Sequence, residues 1–133
     1  MGKIKILVVG CGNMGASHAK AYHDFSEFEI VGLVSRGNSK VELQKQLGVD
    51  YALFDDYDVA LSTTNPDAVC ISTYPDTHEE YAVKAFESGA HVFIEKPIAI
   101  NVENEEKIMQ VAEEKNLVVH CDHIMLYHPI IRY

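Results

Sequence analysis

Short apolar runs alternate with stretches of helical punctuation along the whole of this chain, and that alternation leaves few folds open to it. Residues 4–9, 30–34, 51–54, 68–72, 92–94 and 117–121 read as six short strands, most of them apolar on both faces. Helices are expected between them: over 14 to about 25, from an Asn38 or Ser39 cap to Gly48, after Asp55 or Asp56, up to Gly89, and from Asn101 to about 115. For the fourth helix, Asp76 with Glu79 or Thr77 with Glu80 fits a capping box, and the turn signal Asn65-Pro66-Asp67 introduces the strand before it. Strands buried on both faces need helices above and below them, and parallel pairing through right-handed crossovers supplies that cover. The expectation is a doubly wound α/β fold with six parallel strands in the order 3-2-1-4-5-6 and ligand sites at the C-terminal strand edges. A chain of 133 residues is long enough for one such domain with its own core and short for two.

The first strand runs directly into Gly10-Cys11-Gly12-Asn13-Met14-Gly15, a G-x-G-x-x-G turn that opens the first helix. Gly10 suits the tight turn, Gly12 lets backbone approach a pyrophosphate, and Gly15 allows close packing of helix on strand. Free N–H groups at the helix start, with a partial charge of roughly +0.5, attract phosphate there. A dinucleotide is therefore expected against Gly10, Cys11, Gly12, Asn13, Met14 and Gly15. A glycine-rich first turn also serves S-adenosylmethionine enzymes, so a methyltransferase stands as a rival that leaves the fifth strand's Glu95-Lys96-Pro97 without a role. Local geometry has to hold the anion, because 20 acidic against 11 basic residues give a net charge of −9. That balance disfavours nucleic acid and anionic membrane as partners.

Twenty residues beyond Gly15, at the end of the second strand, stand Ser35 and Arg36, where an NAD-preferring site would offer Asp or Glu to the ribose hydroxyls. No carboxylate there repels a 2′-phosphate, and a guanidinium stacks on adenine or pairs with phosphate, so NADP is preferred and NAD remains open. The alternative for Arg36 is a solvated loop arginine. The fourth strand ends in Ser72, Thr73, Tyr74 and Pro75, at the edge that carries the glycine turn, near where a nicotinamide ribose extends. His78 follows in the first turn of the next helix, where the dipole is expected to keep it neutral; an ordinary first-turn histidine is the alternative. HEEYA is no zinc-protease motif, since position 82 is Ala.

The fifth strand ends in Glu95-Lys96-Pro97, and the proline restricts Lys96 to extended backbone and so directs it. A charged pair leaving a buried strand at the ligand edge points to function, against the alternative of a plain surface pair. His120, Cys121, Asp122, His123 and His128 crowd together, but strand alternation sends neighbours to opposite faces, so no metal site is expected. Asp122 and His123 are expected to face the substrate side once the strand ends. Ile6 defeats a myristoylation pattern, the apolar run before Gly10 is too short for a signal peptide, and the three cysteines are scattered. A reduced, cytoplasmic location is the expectation.

In this order and spacing, VVGCGNMG, AVCISTYPDTH and VFIEKPIA resemble the glucose-fructose oxidoreductase, inositol dehydrogenase and MocA (Gfo/Idh/MocA) family over nearly the whole chain, with Glu-Lys-Pro the specific part. The resemblance implies a Rossmann domain of an NAD(P)-dependent oxidoreductase that exchanges hydride between nicotinamide C4 and a CH–OH carbon of a sugar, cyclitol or related polyol. It implies that Lys96 contacts substrate and assists proton movement at the reacting hydroxyl, with Glu95 in support. Gly10, Gly12, Gly15, Ser35 and Arg36 map to the pyrophosphate and adenosine end, and Thr73, Pro75, His78, Glu95 and Pro97 to the nicotinamide ribose. It further implies a homo-oligomer at full length and a C-terminal α/β domain that this chain, stopping at Tyr133, lacks. Residues 1–122 are accordingly expected to be the nucleotide-binding domain and 123–133 the start of a connection, so that the chain alone binds dinucleotide and turns over little. A standalone NAD(P)-sensing domain without catalysis is the alternative.

Overall fold

Residues 2–121, described in a computed structural model, build one sheet of six strands with five helices against its two faces. The strands are β1 (Ile4–Val9), β2 (Phe28–Val34), β3 (Leu53–Phe54), β4 (Ala68–Ile71), β5 (His91–Ile94) and β6 (Val119–Cys121). The helices are α1 (Asn13–Asp24), α2 (Ser39–Leu47), α3 (Tyr57–Thr64), α4 (Pro75–Glu87) and α5 (Val102–Lys115). Every strand pair is parallel, in the order β3-β2-β1-β4-β5-β6, as the alternating pattern requires.

Strand alternation divides the core in two. Ile6 and Val8 of β1 join Ile30, Leu33 and Cys70 beneath Ala19 of α1 and Leu43 of α2. Leu7 and Val9 join Val69, Ile71 and Ile94 beneath Ala60 of α3, Phe86 of α4 and Ile108 of α5. All four residues of β4 are buried, which is why that strand reads as an unbroken apolar run. No disulfide joins the three buried cysteines. No helix among the described residues is long and apolar enough to cross a membrane.

Several local expectations change. β2 starts at Phe28 rather than 30 and carries a bulge, since Ile6 pairs with Ile30 but Leu7 with Gly32, leaving Val31 over. β3 shrinks to Leu53–Phe54 and β6 to Val119–Cys121, because an edge strand keeps only the residues its single neighbour can bond. The capping box of α4 does not form: the helix starts at Pro75, with Tyr74 as N-cap and no side-chain cap. Proline is preorganised for the first helical position and needs no N–H partner there, so Asp76 falls inside the first turn and the Thr77 hydroxyl donates to Tyr74 O at 2.7 Å. Neither Asn38 nor Ser39 caps α2 through its side chain; the Lys40 N–H donates to the Ser35 hydroxyl oxygen at 3.2 Å instead. Asp56 and Asn101 do cap α3 and α5, accepting from Val59 N and Asn104 N.

Candidate functional site

Four backbone hydrogen bonds carry the sheet ladder one residue beyond the strand ends. Ser35 N donates to Phe54 O at 3.2 Å, Gly10 N to Val34 O at 2.8 Å, Ser72 N to Val9 O at 2.8 Å and Glu95 N to Ile71 O at 2.9 Å. Ser35, Gly10, Ser72 and Glu95 therefore stand in a row along one sheet edge, spanning three interstrand steps of about 4.8 Å each. The sequence-predicted adenosine, pyrophosphate and nicotinamide segments lie along this row in that order.

The glycine turn at its centre is bare for visible reasons. Gly10 has φ +93°, and a Cβ there would come within 2.7 Å of Ser72 O. A Cβ at Gly15 would collide with Gly10 O, so the start of α1 is held against the turn by the absence of a side chain. Gly12 has nothing within 4 Å of its Cβ position, which leaves open space over the turn. Gly12 is also the N-cap of α1, with no side-chain cap and no acidic residue in the first turn, so the positive end of the helix meets that space without a competing anion. Asn13 and Met14 are exposed on its rim. Cys11 contributes backbone only: its thiol is buried against Val34 O at 3.6 Å, and burial pushes it up to about 11.

The nicotinamide end differs in part from expectation. Ser72, Thr73 and Pro75 are half-buried along the edge, whereas Tyr74 is 82% exposed and turns away to solvent. Lys96 and Pro97 are exposed on the loop after β5, and the carboxylate beside them pairs elsewhere: Glu95 Oε2 lies 2.7 Å from His18 Nε2 on α1. Glu95 thus ties its loop to the nucleotide helix rather than forming a surface pair with Lys96. His78 is 0% exposed, on the buried stripe of α4 with Ala82, Ala85 and Phe86. Its ring nitrogens lie 3.0 Å from Thr73 O and 2.8 Å from Pro97 O, so it sits beneath both loops, its N–H donating to one carbonyl or the other according to the tautomer, instead of lining the ribose. His78→Ala should open a cavity and remove a buried hydrogen bond, lowering unfolding free energy by about 3 kcal/mol in urea titration. A wild-type midpoint would show that the loops hold without it.

Sequence reading passed over Lys40 and His18. Lys40 is buried, and its ammonium donates to Ser35 O at 2.9 Å and Gly37 O at 2.8 Å while pairing with Asp55 at 2.7 Å. Nothing local marks it, since a lysine in the first turn of a polar helix reads as solvated. Arg36 is exposed beside Asp55 and Asp58 in a polar pocket at this adenosine end. Among the described residues no three His, Cys, Asp or Glu side chains form a metal set. Asp122, His123 and His128 lie outside the described residues.

Comparison with known proteins agrees with this geometry. Residues 4–123 match the model of the GFO_IDH_MocA oxidoreductase family, NAD-binding Rossmann fold. The UDP-N-acetylglucosamine 3-dehydrogenase of Acidithiobacillus ferrooxidans is 31% identical over 95% of this chain and 39% of its own length. The scyllo-inositol 2-dehydrogenase (NAD(+)) of Bacillus subtilis is 26% identical over 96% of this chain and 37% of its own. The crystal structure of Lactobacillus casei scyllo-inositol dehydrogenase, with bound NAD(H) and scyllo-inositol, superposes with a TM-score of 0.82 at 30% identity, covering 90% of this chain and 36% of that one. The chain thus spans under two-fifths of the length of each of these relatives.

Proposed function

The chain belongs to the Gfo/Idh/MocA oxidoreductase family, and from that premise we propose that it holds the dinucleotide of an NAD(P)-dependent enzyme acting on a CH–OH group of a sugar, cyclitol or related polyol. The observation that carries the reading is the open space over Gly12 at the uncapped start of α1, in line with Ser35 on one side and Ser72 and Glu95 on the other. The donor set fits the group: main-chain N–H groups and a helix dipole for the pyrophosphate, Ser35 and Arg36 for the adenosine ribose, and Thr73, Pro75 and Pro97 for the nicotinamide ribose. When bound, the nicotinamide supplies the hydride acceptor or donor. Lys96 would hold or move the proton of the substrate hydroxyl, a role its exposure at the same edge supports. The sugar or cyclitol class draws support from the UDP-N-acetylglucosamine and scyllo-inositol dehydrogenases it resembles. The family match over 4–123 supports 1–122 as the nucleotide-binding unit.

Ser35 and Arg36 favour NADP over NAD in this reading, because the position that would repel a 2′-phosphate carries a hydroxyl and its neighbour a cation. Fluorescence titration with NADPH and NADH tests both points. Arg36→Ala should weaken NADPH binding by about tenfold and NADH binding by less than about twofold, the loss of one charge-assisted contact. An unchanged NADPH affinity would return Arg36 to solvent, and binding of neither nucleotide would end the dinucleotide reading.

A further inference from the structure

Lys40 brings a largely buried positive charge to the underside of the Ser35–Gly37 loop, and its three ammonium protons have three different destinations. Two go to Ser35 O and Gly37 O, carbonyls of the loop itself, at 2.9 and 2.8 Å. The third faces Asp55 Oδ1 at 2.7 Å, from a side chain that is 81% exposed. The loop carbonyls move with the loop and stay bonded, whereas the Asp55 carboxylate can leave into water. Lys40 also reaches the cofactor cleft electrically: its charge counteracts, in part, the upward pull of burial on the Cys11 thiol in the glycine turn. The ammonium is therefore held against the Ser35–Gly37 loop, with one exchangeable partner.

We propose that Asp55 is a specificity-determining residue, which by occupying the Lys40 ammonium withholds it from a ribose 2′-phosphate and restrains the preference for NADP over NAD. The inference rests on the dinucleotide reading above. A 2′-phosphate carries more charge than a carboxylate and three acceptor oxygens, so it competes for the third ammonium proton, but it must first displace Asp55. NADH carries no such group and leaves the Lys40–Asp55 pair in place. The Asp55 carboxylate thus weakens NADPH binding selectively, in opposition to Arg36 on the same rim.

The test is the ratio of NADH to NADPH dissociation constants, measured by calorimetry on the 133-residue chain. Asp55→Asn, at a side chain that is 81% exposed, should shift that ratio toward NADPH by about fivefold, the scale of one ion pair at a surface. Asp58→Asn is the control for the general field, since Asp58 lies in the same pocket but pairs with Lys84 at 2.9 Å. It should shift the ratio by less than about twofold. Beside Lys40→Met, the Asp55 substitution should lose its effect, because the coupling passes through the ammonium. An Asp55→Asn ratio equal to wild type, or an equal shift from Asp58→Asn, overturns the proposal. A full Asp55 effect in the Lys40→Met background overturns it too, assigning Asp55 to Arg36. Should the wild-type chain bind neither nucleotide, the underlying reading fails first; should it bind both with an unmoved ratio in Asp55→Asn, this inference alone fails.

Discussion

Gly15→Ala is expected to abolish NADPH and NADH binding and to cost about 3 kcal/mol or more of folding stability, among the largest effects available to a single methyl group. The added Cβ would overlap the carbonyl oxygen of Gly10, a backbone atom with no rotamer to escape into. Either the turn opens or α1 lifts from β1, and Gly10, already at φ +93° beneath the close approach of Ser72 O, has little room to adjust. Gly12→Ala separates folding from binding. Its methyl group meets nothing within 4 Å, so stability should stay within about 1 kcal/mol of wild type, while the methyl takes the space left for a pyrophosphate. Urea unfolding and nucleotide titration on both variants check the pair. Wild-type binding by Gly15→Ala would show that the turn does not hold phosphate in the way described.

On the oxidoreductase reading proposed above, Lys96→Ala is expected to lower turnover by about 10²- to 10⁴-fold, the usual span for loss of a positioned proton-transfer group. Cofactor affinity should change by no more than about threefold, because the proposed pyrophosphate and adenosine contacts follow β1 and β2, away from the loop after β5. Lys96 is exposed, so its removal should leave stability within about 0.5 kcal/mol. Parallel losses of turnover and cofactor affinity would assign Lys96 to holding the loop rather than to the reaction.

These expectations differ in how far a reader of the sequence could have reached them. Gly10, Gly12 and Gly15 follow from a local pattern, since a strand that ends in bare turn and starts a helix must do so within six residues, and in the structure Gly10 takes a positive φ, a Cβ at Gly15 would meet Gly10 O, and Gly12 borders open space. The strand order follows from apolar runs buried on both faces, such as β4. His78 shows where local reading stops. Its place in the first turn of α4 was legible, but its direction depended on where the helix began, and Pro75 rather than a capping box decided that. The resulting stripe with Ala82, Ala85 and Phe86 turned the ring inward, beneath the loops at the edge where it was expected to line the nicotinamide ribose.

By itself the sequence determined the parallel α/β sheet, the bare turn before α1 and the edge at which Lys96 emerges, because burial patterns, glycines and Glu95-Lys96-Pro97 act over a few neighbouring residues. Only the tertiary structure decided which charged and polar side chains meet: Glu95 with His18, 77 residues apart, Lys40 with Asp55, and His78 with the carbonyls of Thr73 and Pro97. The physical reason is that hydrophobic burial is nondirectional and readable as a pattern, whereas an ion pair or a buried hydrogen bond requires two groups within about 3 Å, a distance set by how the helices settle on the sheet.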